Sequence, residues 1–98
     1  MVENLIVFIS GNGTNLQAII DGIENGILQN MEISLVISNR KTAHGLKRAK
    51  KAGIPTRVEL FDKKKMSREE YDHRLKNIVS CFSPSLIILA GWMHIFSK

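Results

Sequence analysis

Apolar and polar positions follow two rhythms along this chain. Residues 5–9 form an unbroken apolar run that meets Ser10-Gly-Asn-Gly13, the pattern of a strand covered on both faces and stopped by a turn. From Thr14 onward Leu16, Ile19, Ile20 and Ile23 recur at i, i+3, i+4 and i+7, one stripe of an amphipathic helix, and Asn25-Gly26 supplies its stop. Residues 32–38, rich in β-branched side chains and bounded by Asn30 and Asn39, predict a second strand. Leu46, Ala49 and Ala52 mark a thinner helical stripe closed by Gly53, after which residues 54–60, entered through Pro55, read as a short third strand. Ser67 and Glu70 stand at capping-box spacing, and Tyr71, Leu75, Ile78, Val79 and Phe82 continue one buried face to Ser83-Pro84. Residues 85–91 supply a last strand, apolar in its body and ended by glycine.

Four strands alternating with three helices predict an α/β fold: a doubly wound, mainly parallel sheet with right-handed crossovers and helices on both faces. Ligands in that architecture sit beyond the carboxyl ends of the strands. The segments of interest are therefore residues 10–15, 38–45, the loop after Leu60, and Gly91 onward. Ninety-eight residues make one compact domain at most, with a modest core.

With 44% hydrophobic and 23% charged residues, the composition is that of an ordinary globular domain. No apolar run approaches the roughly 20 residues that span a bilayer, so no membrane partner is expected. Glu3, with no Lys or Arg before the short apolar stretch, is the wrong flank for a secretory signal, and a cytoplasmic location is the expectation. A single cysteine, Cys81, forms no internal disulfide, and no spaced His pair offers a metal site. The net charge of +5 is uneven: all 14 Lys and Arg lie at or after Arg40, while Glu3, Asp21, Glu24 and Glu32 precede it. Without aromatic interleaving this reads as a solvated basic face rather than a nucleic-acid surface, although Lys63, Lys64 and Lys65 with the second helix would carry the latter alternative.

In the turn, Gly11 and Gly13 allow positive φ and close backbone approach, while the following helix presents unpaired N–H groups and the positive end of its dipole. Thr14 and Asn15 add side-chain donors, so a phosphate monoester could be held without a lysine. A Walker A loop needs a longer glycine spacing followed by Lys-Ser or Lys-Thr, and none is present. The dinucleotide pattern G-x-G-x-x-G/A nearly fits residues 11–16, but Leu16 stands where Gly or Ala is wanted. The second strand also ends in Asn39-Arg40 instead of an acidic ribose ligand. Arg40 and Lys41 leave an NADP-binding half-domain open, and a purely structural strand-to-helix turn is a third reading.

Four blocks in order carry a resemblance: ISGNGTNLQAIIDGI, VISNRKTAHGLKRAKKAGIPT, SREEYDHRL and SPSLIILAGWMHIFS. Together they resemble the phosphoribosylglycinamide formyltransferases of de novo purine synthesis over essentially the whole chain. The resemblance implies a formyltransferase-type, Rossmann-like fold, here the N-terminal half of one domain over residues 1–98. It implies that Gly13, Thr14 and Asn15 bind the 5-phosphate of phosphoribosylglycinamide. It further implies that Arg68, Met93, His94, Ile95 and Phe96 line the pocket for 10-formyltetrahydrofolate, the formyl-donor co-substrate, with no metal. An arginine often stands in the family where this chain has His94. The family's catalytic asparagine and histidine, in an Asn-Ile-His-Pro-Ser segment, and its aspartate are expected beyond Lys98, so the chain alone is expected to be inactive. It is also expected to self-associate through its last strand.

Other tempting residues have plainer readings. His44 and His73 read as surface or packing residues, Cys81 as a partly buried small side chain beside Ile78, Val79 and Phe82. Tyr71 falls on the core stripe, and Trp92 adjoins the predicted pocket. Arg68, following the cap Ser67, could equally be a solvated first-turn residue.

Overall fold

The computed structural model describes residues 2–92. Seven elements follow in order: β1 (Glu3–Ile9), α1 (Thr14–Glu24), β2 (Met31–Ser38), α2 (His44–Lys51), β3 (Thr56–Val58), α3 (Arg68–Phe82) and β4 (Leu86–Leu89). The strands form one sheet in the order β3-β2-β1-β4, and every pairing is parallel. Val7 lies between Val36 and Ile88, and Phe8 between Ile37 and Leu89. A bulge interrupts the β1–β2 ladder, where Leu5 pairs with Ile33 but Ile6 with Leu35, leaving Ser34 as the extra residue.

The central strand shows why continuous apolar runs belong here. Val7 and Ile9 join Leu16, Ile20, Val36, Leu46 and Ala49 in one cluster, whereas Ile6 and Phe8 join Leu35, Ile37, Tyr71, Leu75 and Ile78 in another. Alternate side chains of β1 thus enter cores on opposite faces: α1 and α2 cover one, α3 the other. With both faces of β1 covered, every position from Leu5 to Ile9 is apolar, and none exceeds 2% exposure.

α3 starts where its sequence signal lies. Ser67 accepts from the Glu70 N–H, and the Glu70 carboxylate accepts from the Ser67 N–H, a complete capping box. Ser67 holds the Glu70 carboxyl below its ordinary pKa, first through its backbone N–H and then through its side chain. Tyr71 is fully buried, its hydroxyl donating to the Glu59 carbonyl, which ties the helix to the end of the β3 segment.

β4 has β1 as its only partner among the described residues, and it leaves Leu86, Ile87 and Leu89 52%, 46% and 53% exposed, the uncovered last strand that the sequence leads one to expect. One expectation needs correction. Cys81 is exposed rather than partly buried. At about 100° per residue it falls about 60° beyond Ile78, off the side of the stripe that meets the sheet.

Candidate functional site

In a parallel α/β sheet each helix begins at the edge where a strand ends, so the starts of α1, α2 and α3 all lie along the carboxyl edge. β1 occupies the reversal point of the strand order: the chain leaves it toward β2 on one side and returns as β4 on the other. Such a switch point is where α/β folds open a crevice for ligands.

The glycine turn sits there. β1 ends at Ile9 and α1 starts at Thr14, with Gly13 between them in the left-handed region at φ +79°. Gly11 does not have positive φ, which corrects half of the glycine expectation; a Cβ built on it meets nothing within 4 Å, so the space beside it is open. The first bond of α1 runs from the Gln17 N–H to the Gly13 carbonyl at 2.8 Å, and no side chain caps the helix. The backbone N–H groups of Asn12, Gly13, Thr14, Asn15 and Leu16 consequently donate to nothing among the described residues. Thr14 and Asn15 are exposed and no acidic residue stands in the first turn. A run of donors at a helix start, with no competing carboxylate, favours an anion. Residues 10–16 carry no titratable side chain, so the turn can hold an anion but cannot move a proton.

Leu16 explains the missing third small residue. It is fully buried in the cluster containing Val7, Ile9, Val36 and Ala49, so α1 meets the sheet through a leucine side chain, not through the close backbone approach that a dinucleotide turn uses.

Close approach occurs elsewhere, through residues that sequence reasoning missed. A Cβ on Gly13 would lie 2.5 Å from the Gly45 Cα, and a Cβ on Gly45 would lie 3.2 Å from the Gly13 Cα. The Gly45 N–H donates to the Gly11 carbonyl at 3.1 Å. From the next turn of α2, Arg48 donates through Nε to the Asn12 carbonyl at 2.9 Å and reaches Asn12 Oδ1 and Gln17 Oε1, each at 3.4 Å. The one available signal was a glycine inside the first turn of a predicted helix, which often marks close backbone packing; nothing local announces Arg48, whose partner Asn12 is 36 residues away.

Other predicted residues divide. Arg68 opens α3 and is exposed; it shares the carboxyl edge with Thr14 and Asn15 but lies on the other face of the sheet. Arg40 and Lys41 are exposed just after β2, where the Ser38 hydroxyl accepts from the Arg40 N–H and donates to the Arg40 carbonyl. His44 and His73 are exposed. Met93, His94, Ile95 and Phe96 lie outside the described residues. Leading toward them, Gly91 has φ +77°, and Trp92 packs edge-to-face on Phe8 with ring centroids 4.9 Å apart, so its ring lies against the α3-side core. No group of three or more His, Cys, Asp or Glu among the described residues is placed to hold a metal ion, and no helix among them is long and apolar enough to cross a membrane.

Comparison with known proteins adds an independent line. Residues 3–98 match the family model described as formyl transferase. The phosphoribosylglycinamide formyltransferase of Schizosaccharomyces pombe is 49% identical over 104 residues, covering 99% of this chain and 50% of that protein. The Escherichia coli protein of the same name is 43% identical, covering 96% of this chain and 43% of its own length. Among solved structures, the phosphoribosylglycinamide formyltransferase of Coxiella burnetii superposes with a TM-score of 0.89 at 43% identity, covering 100% of this chain and 45% of that one. Glycinamide ribonucleotide transformylase 1 of Symbiobacterium toebii gives 0.90 at 35% identity, covering 99% and 45%. The chain thus spans about half the length of these relatives.

Proposed function

The chain belongs to the formyl transferase family, and from that membership we propose that it carries the substrate-phosphate turn and part of the folate pocket of a phosphoribosylglycinamide formyltransferase acting in purine biosynthesis. Gly13, Thr14 and Asn15 take the 5-phosphate of phosphoribosylglycinamide. Arg68 and residues 93–96 contribute to the slot for 10-formyltetrahydrofolate, which supplies the formyl group. The observation that carries this reading is the run of unpartnered N–H donors from Asn12 to Leu16 at the carboxyl edge of β1. Family membership weighs against a dinucleotide or nucleic-acid ligand, and the buried Leu16 agrees with a single terminal phosphate.

In the transfer, the glycinamide nitrogen attacks the formyl carbon and forms a tetrahedral intermediate whose oxyanion needs donors. Collapse breaks the bond from that carbon to the folate nitrogen, and the proton lost by the amine is returned to the leaving nitrogen. The turn's part is to hold the far end of the substrate so that its amine is presented in a defined place. The Asn-Ile-His-Pro-Ser segment that the resemblance implies for catalysis does not occur in these 98 residues. The chain by itself therefore binds substrate without turning it over.

The reading is checked by titrating the isotopically labelled chain with phosphoribosylglycinamide and following its amide signals. Saturable shifts are expected at Gly13, Thr14 and Asn15, and they disappear with the dephosphorylated compound. Equal shifts with both compounds, or none with either, would sink it. In a parallel assay with both substrates, turnover above background would overturn the statement that the chain alone is inactive.

A further inference from the structure

Resting on the phosphate reading above, we infer that Arg48 is a positioning residue for the anion turn: it holds the turn's carbonyl oxygen toward α2 and so aims the following amide at the ligand. The argument is geometric. A trans peptide unit is planar, with its C=O and N–H pointing in opposite directions, and the described chain contains no cis peptide bond. Arg48 Nε holds the Asn12 carbonyl at 2.9 Å, so the N–H of Gly13, the other end of that unit, faces away from α2. The Gly45 N–H holds the Gly11 carbonyl at 3.1 Å, which turns the Asn12 N–H the same way. Two successive acceptors are tied down on one side, and two successive donors are presented on the other, ahead of those of the first turn of α1. Peptide oxygens free to rotate toward the ligand would repel an anion; these two are held away from it.

One planar group does this at three points, since Arg48 also reaches Asn12 Oδ1 and Gln17 Oε1, both at 3.4 Å. It braces the turn and the helix behind it together. Lysine would retain the charge but not the fork of donors in one plane. The contribution of Arg48 is orientation of the backbone, and not a positive charge placed on the phosphate.

The test uses the 98-residue chain as wild type, Arg48→Lys and Arg48→Met, titrated with inorganic phosphate and with ribose 5-phosphate. Affinity is read from the amide signals of residues 12–15, and the thermal midpoint of each variant is recorded alongside. Wild type should show saturable shifts, and both substitutions should weaken binding by about tenfold, the factor that follows from losing one charge-assisted hydrogen bond. Arg48→Lys is the decisive arm, because it keeps charge and stem length and so preserves folding better. Binding by Arg48→Lys equal to wild type would overturn the inference, as would a lowered midpoint with unchanged affinity, which is what a merely structural arginine would give. A wild-type chain whose turn amides respond to neither anion would instead overturn the phosphate reading itself.

Discussion

Gly11 and Gly13 stand two positions apart in one turn and make different demands on it. Gly13 needs its missing side chain twice over: its φ of +79° is a region that L side chains rarely adopt, and a Cβ would press to 2.5 Å from the Gly45 backbone. Gly13→Ala should therefore cost about 2 kcal/mol or more, from left-handed strain plus displacement of α2. Gly11 has neither constraint, so Gly11→Ala should change stability by less than about 0.5 kcal/mol. Urea unfolding of the two variants beside wild type measures both, and equal losses would contradict the assignment of the close contact to Gly13. From the sequence the two glycines are indistinguishable. The left-handed φ at Gly13 and the approach of α2 to it separate a required glycine from an accommodating one.

Most elements were legible because each carries its own period. The run at residues 5–9 had to be two-faced, the stripes of α1 and α3 show 3.6-residue spacing, and Ser67 with Glu70 announces the start of α3. α2 was thinner because Gly45 and Ala49 pack by being small, and smallness leaves a weak hydrophobic signal. β3 contracts to Thr56–Val58, the residues in register with β2, with Pro55 and Glu59 adding one hydrogen bond each to β2 at its ends. At the far end of α3, Cys81 was misplaced because chain neighbours of buried residues need not be buried on a helix. The docking of α3 has a pH signature through Tyr71. Burial chiefly, with the Glu59 and Asp72 carboxylates adding, pushes its hydroxyl up to about 12 from an ordinary 10. A raised folded-state value means that the stabilisation is complete below about pH 10 and is lost as pH rises toward 12. Stability measured across that window should fall more steeply in wild type than in Tyr71→Phe, which cannot ionise. Parallel curves would show that the phenol does not couple to folding.

The sheet as a whole is finished unevenly. Residues 5–9 of β1 and 35–38 of β2 are buried, while β4 leaves Leu86, Ile87 and Leu89 largely in water beside a mainly apolar groove of about 360 Å³ lined by Phe8, Leu75, Val79, Ile87 and Leu89 together with Asp72 and Lys76. An edge strand with these side chains and no charge is a template for pairing. The 98-residue chain should accordingly self-associate with rising concentration, and Ile87→Lys, which puts a charge on that edge, should shift sedimentation toward monomer. A wild-type chain that stays monomeric at high concentration would refute this. The anion turn has the opposite character, being closed from behind by the contacts of Gly45 and Arg48. Those contacts reach across more than thirty residues, and this bears on synthesis. A nascent chain that has released only its first strand and helix already displays the glycine motif, but its peptide planes are still free to rotate. On the phosphate reading proposed above, full affinity would be reached only when the second helix emerges and docks, so during translation the site would mature two elements after the residues that name it.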